Sequence, residues 1–173
     1  KTIVFIHGAS MSSATWLPQL NDEVLGKKYQ LYAVDLPGHG ESEWSKDPEG
    51  YELKALAETI SHFINALHPK KFVLVGLSYG TNVIGEITRS LTNCKGILME
   101  SPCILNNTFS PDRILIPVPL GHVMSAENPP DNELKEFINH VTDDAGFGER
   151  FYNSYRKTDP AFRRALGNTL LSS

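Results

Sequence analysis

Short unbroken apolar runs alternate along the chain with longer stretches in which apolar residues return every third or fourth position. The runs at 2–6 (TIVFI), 29–34 (YQLYAV), 71–76 (KFVLVG) and 95–100 (KGILME) predict strands buried on both faces of a sheet. Between the first two, Ser12, Ser13 and Thr15 offer caps for a helix through Trp16, Leu17, Leu20, Val24 and Leu25, with Gly26 as its stop. Over 51–67 the set Leu53, Leu56, Ala57, Ile60, Phe63, Ile64 and Leu67 predicts an amphipathic helix closed by Pro69. A further helix is expected over 81–91. Strand–helix alternation of this kind predicts an α/β fold with a parallel sheet and helices on both faces. Ligands of such sheets bind outside the carboxyl ends of the strands.

The pattern changes after Ser101. Residues 101–130 hold six of the eleven prolines (Pro102, Pro111, Pro117, Pro119, Pro129 and Pro130), and helical periodicity returns at 133–141 and 147–171. This predicts two parts, a core over 1–101 and a mainly helical cap over 102–173 that covers the crevice.

At 173 residues the chain suits one domain, or most of one. The balance of 16 basic and 20 acidic residues, a net charge of −4, gives no basic excess for nucleic acid or an anionic membrane. No apolar run approaches the roughly 20 residues that a membrane span needs. Cys94 and Cys103 read as small reduced core residues, and a cytoplasmic setting is expected. The six histidines and two cysteines show no metal-ligand spacing, so neither metal nor other cofactor is expected. The composition leaves the oligomeric state open.

The chemistry concentrates in VLVGLSYGTNVIGEIT, residues 73–88. An apolar strand runs into Gly76-x-Ser78-x-Gly80 and a helix begins at once behind it. That context places the serine on a tight strand-to-helix turn, with the glycines allowing close approach and the helix N-terminus supplying free N–H groups. DLPGHGES (35–42) is rich in turn formers, and His39 within it reads as structural. Tyr79 and Asn82 read as packing and capping residues that also border the pocket.

With HGAS (7–10), DLPGHGES (35–42) and GLSYG (76–80) in this order, the sequence resembles the cap-bearing α/β-hydrolase superfamily. The resemblance covers 1–101 through these motifs and 102–173 only as a plausible cap. It implies Ser78 as nucleophile and the backbone N–H groups of Ala9 and Tyr79 as the oxyanion hole, each worth about 3–4 kcal/mol to a developing oxyanion. It also implies a catalytic acid and histidine after the serine, on loops beyond the cap. Two in-chain substitutes are Glu100, at the end of the fourth strand as in certain haloalkane dehalogenases, and His122, in a loosely similar GHVMSAENPP stretch.

No strand of the form apolar run–Gly–x–x–Asp follows the cap before Ser173, and the family's first hairpin does not precede Lys1. The chain is therefore expected to be a segment of a longer protein. The leading functional expectation is a serine hydrolase acting on a small ester or related acyl substrate. Alternatives are a lyase or C–C bond hydrolase on the same scaffold, or a non-catalytic ligand-binding relative. With no base and acid in the family's positions, the purified segment is expected to turn over a short-chain p-nitrophenyl ester slowly or not at all. Strong turnover that vanished in His122→Ala or Glu100→Ala would make one of those residues the partner of Ser78.

Overall fold

A computed structural model of the chain describes residues 1–88, 91–102 and 118–171. Four strands, β1 (Thr2–Ile6), β2 (Gln30–Val34), β3 (Phe72–Leu77) and β4 (Cys94–Glu100), form one parallel sheet in the order β2-β1-β3-β4. Successive side chains of a strand point to opposite faces, and here they enter separate cores. Val4, Ile6, Phe72 and Leu74 pack with helix α3 (Leu53–Ala66), through Leu56, Ile60 and Ile64, and with α4 (Tyr79–Ile87), through Val83, Ile84 and Ile87. Phe5 and Val75 pack on the other face against Trp16, flanked by Leu20 and Leu31. The α/β expectation therefore holds, with β1 and β3 at the centre of the sheet.

The single helix expected after β1 is divided. A 3-10 turn (Ser13–Trp16) leads into α1 (Leu17–Leu20), and α2 (Glu23–Lys28) starts afresh because the Asp22 carboxylate accepts the Leu25 N–H at 2.8 Å. Gly26 lies inside α2 and does not end it. α4 starts two residues earlier than expected, at Tyr79, and ends at Ile87. Cys94 is half-buried at the start of β4, while Cys103 and most of the proline-rich opening (103–117) lie outside the described residues.

Residues 118–171 contribute a 3-10 turn (Gly121–Met124) and helices α5 (Asp131–Val141), α6 (Ala145–Lys157) and α7 (Pro160–Leu171). The helical stretch expected as one unit over 147–171 breaks between α6 and α7. Pro160 occupies a first helical turn more readily than an interior, and the Asp159 carboxylate accepts the Ala161 N–H at 2.9 Å. α5 and α6 share a core of Leu134, Phe137, Ile138, Phe151, Tyr155 and Val123. α7 does otherwise: its Phe162 and Leu166 join the sheet's own core. No helix among the described residues is long and apolar enough to cross a membrane.

Arg163 joins these parts. It is 3% exposed, and its guanidinium donates to the carbonyls of Ala126, Glu127, Tyr155 and Thr158 at 2.6–3.2 Å while lying 4.2 Å from the Tyr155 ring. Arg163→Met would remove five hydrogen bonds of a buried side chain and leave the Glu127 carbonyl without this charged donor. A loss of about 3 kcal/mol is therefore expected in urea unfolding, against less than about 0.5 kcal/mol for its exposed neighbour in Arg164→Met.

Candidate functional site

The site is built where β1 and β3 end. Ser78, between β3 and α4, has φ 49° and ψ −115°, a left-handed conformation that a side chain adopts only under constraint. The constraint is the crowding around it. A Cβ on Gly80 would stand 2.5 Å from the Ile6 carbonyl oxygen and 2.7 Å from that of His7, and one on Gly76 would stand 2.6 Å from Ile84 Cδ1. Only glycine lets the first turn of α4 come this close to the sheet. The Ser78 N–H is held by the Glu100 carbonyl at 2.9 Å, and its own carbonyl accepts from the Thr81 N–H and hydroxyl.

Gly8 brings the end of β1 to the same point, since a Cβ there would lie 3.3 Å from Ser78 Cβ and 3.1 Å from Met11 Sδ. Ala9, the next residue, is buried, as is Tyr79 after the serine. The three sequence-predicted site residues are thus neighbours in space.

His7 and His39 are wholly buried. The His7 Nδ1–H donates to the Gly8 carbonyl at 2.7 Å and Nε2 accepts the Leu36 N–H at 3.1 Å, which ties the HGAS turn to the loop after β2. Burial pulls the His7 pKa down to about 4, and burial followed by the nearby His7 pulls His39 well below the usual histidine range. His39 donates to the Pro37 carbonyl and packs edge-on against Phe162 at 4.3 Å, a structural post. The 35–42 loop is shaped by Asp35, whose carboxylate accepts the N–H groups of Ser13 and Glu41. Gly38 and Gly40 have φ of +78° and +54° in that loop, where a side chain would collide with Tyr51 and Asp35 respectively.

Ser78 opens into a cavity of about 580 Å³ lined from below by Met11, Trp16, Gln19 and Glu100, and from above by Val141, Thr142, Asp144, Phe147 and Arg150. Glu100 therefore shares the cavity with Ser78. His122 does not line it: it is exposed on the 3-10 turn, with Nε2 3.0 Å from the Glu133 carboxylate. Sequence reading singled out neither Arg150, which lines the cavity, nor Phe162, which packs against Tyr79 behind the serine. Phe162 was signalled only by being the large apolar residue just after a Pro-started helix turn, and Arg150 carries no local signal.

The chain belongs to the alpha/beta hydrolase family, whose model matches residues 3–172. Esterase Rv0045c of Mycobacterium tuberculosis is 33% identical over 78 residues, 45% of this chain and 24% of that protein. The (E)-2-((N-methylformamido)methylene)succinate hydrolase of Acinetobacter baylyi is 42% identical over 107 residues, 62% of this chain and 38% of that protein. Among solved structures, the N-acyl homoserine lactonase AidH in complex with N-butanoyl homoserine superposes with a TM-score of 0.83 at 22% identity, over 98% of this chain and 62% of that one. An esterase from Exiguobacterium antarcticum gives 0.73 at 16% identity, over 99% and 64%. At these identities the two structures bear on the fold. The chain spans well under half the length of the two curated relatives.

The buried imidazoles make stability pH-dependent with a definite sign. An unfolded chain binds a proton at His7 below about pH 6.5, whereas the folded chain does so only near pH 4, so acidification favours unfolding across that window. The His7 contribution should grow to roughly 3 kcal/mol by pH 4, with His39 adding in the same direction. Urea midpoints measured from pH 7 to 4.5 should fall steadily, and the fall should be shallower in His7→Asn.

Proposed function

We propose that the chain carries the nucleophile of a serine hydrolase that cleaves a small ester or related acyl substrate through an acyl-enzyme on Ser78. The backbone N–H groups of Ala9 and Tyr79 form the oxyanion hole in this reading, and the helical part over 102–173 acts as a cap on the site. The observation that carries it is the left-handed backbone of Ser78 at the carboxyl end of a central strand, facing a cavity closed by α5 and α6. Strain of that kind persists only where the surroundings enforce it, and here three glycines do so.

The chemistry follows from the placement. Attack of the Ser78 hydroxyl on an acyl carbon moves negative charge onto the carbonyl oxygen. The Tyr79 N–H, at the first turn of α4, has no intrahelical acceptor of its own and meets that charge with the positive end of the helix behind it. Gly8 brings the Ala9 backbone to the same side. A histidine is needed to take the serine proton, and the described lining of the cavity contains none. Glu100 is the in-chain carboxylate best placed to orient such a histidine. A cytoplasmic protein with a small-molecule substrate and no cofactor completes the proposal, and the family membership and esterase-named relative support its reaction class.

A fluorophosphonate probe applied to the protein that carries this chain tests the assignment. Wild type should be labelled, Ser78→Ala should not, and its hydrolysis of p-nitrophenyl acetate should fall by about 10³-fold or more. Equal labelling of the two would transfer the nucleophile elsewhere or leave a binding protein.

A further inference from the structure

We infer that Arg150 anchors a carboxylate on the substrate, so that the Ser78 cavity selects acyl compounds bearing a free acid group; this rests on, and deepens, the serine-hydrolase reading. Side chains of a helix lean back toward its N-terminus. Arg150, in the second turn of α6, accordingly returns over the first, where its Nη1 would stand 3.3 Å from a Cβ on Gly146. The guanidinium thus sits at the positive end of a helix dipole, a poor place for a cation unless an anion joins it.

The Asp144 Oδ1 would stand equally close, 3.3 Å, to that Cβ, so one protein carboxylate shares this end of the helix. The cavity wall holds two carboxylates, yet neither lies within ion-pair distance of Arg150 among the described residues. Asp144 is engaged in capping α6, accepting the Phe147 N–H at 2.8 Å, and Glu100 sits exposed at the end of β4. The Arg150 Nε is buried with no hydrogen-bond partner among the described residues. A buried donor on a charged group is costly to leave unmet. With Nε shielded, the two terminal Nη groups are the donors that can take a carboxylate through parallel hydrogen bonds.

Arg150 also borders a smaller cavity of about 220 Å³ with Asp35, Glu41 and Lys157. There Asp35 accepts two backbone N–H groups and Glu41 pairs with Lys157, and neither stands within ion-pair distance of Arg150 among the described residues. The larger cavity that holds Ser78 is the one with room for a substrate beside Arg150.

The test uses monomethyl glutarate and its neutral counterpart dimethyl glutarate, titrated calorimetrically into the Ser78→Ala protein so that neither is consumed. The monoanion should bind at least tenfold more tightly. Arg150→Met should bring the two within about twofold, and Arg150→Lys should keep part of the preference; Arg150→Gln serves should the Met variant fail to fold. Equal binding of the two esters to Ser78→Ala, or a preference unchanged by Arg150→Met, would overturn the assignment. The two readings fail separately. Probe labelling of Ser78 without an acid preference removes only the role of Arg150. An Arg150-dependent preference without labelling upholds that role and removes only the hydrolase.

Discussion

Everything at the site depends on how closely the first turn of α4 approaches the carbonyls that end β1. With no side chain at Gly80, the helix rests directly on the Ile6 and His7 carbonyl oxygens. That contact sets the turn before it, and the turn in turn obliges Ser78 to take its left-handed backbone. Gly76 allows Ile84 to fill the space beneath, and Gly8 allows β1 to close from the side. An added methyl at Gly80 would have only backbone to push against, so the sheet or the helix would have to move. The two central strands are the ones whose ends meet here, so the least deformable part of the sheet carries the serine.

Much of this was legible in the sequence, for reasons that differ by element. β1 and β3 announce themselves because both faces of each are buried, in two separate cores. β4 reads as the same kind of apolar run although Ile97, Leu98 and Met99 stand exposed at the sheet's edge, against the expectation of a strand buried on both faces. α3 was legible because one face alone is buried. The divided helix after β1 was not, because Asp22 acts through a capping bond that competes with a glycine stop signal. The break between α6 and α7 was written in Thr158-Asp159-Pro160, but regular apolar spacing on either side masked it. Spacing and context placed Ser78 on its turn, and the family resemblance pointed to Ala9 and Tyr79 beside it. The upper wall of the cavity was beyond reach, since Arg150 meets that cavity through packing between segments about 70 residues apart in sequence and leaves no trace in local pattern.

The histidines show how burial reassigns residue types that suggest chemistry. His7 and His39 lie in the two loops next to the serine turn and pack on each other, yet one joins those loops through both ring nitrogens and the other buttresses an aromatic cluster. Their neutrality follows from burial: His7 spends both ring nitrogens on backbone groups, and the His39 Nε2 is buried with no partner among the described residues. His122 is the reverse case: it is solvated and paired with Glu133 on the surface, where such a pair contributes little.

Phe162 has a mechanical consequence. Its ring is gripped by His39, Tyr51 and Tyr79, the last of these directly behind the serine, so α7 moves with the sheet. Swinging residues 118–171 outward as one piece would pull that ring into water at a cost of about 2–3 kcal/mol, before counting the bonds of Arg163. The trailing half of α6 is pinned as well, by Ser154 to Ser12, Tyr155 to the carbonyls of Val123 and Ala126, and Lys157 to Glu41. Residues 141–147, in contrast, bond only to one another and to their own helices among the described residues, so the wall above Ser78 is the less tied side of the helical layer.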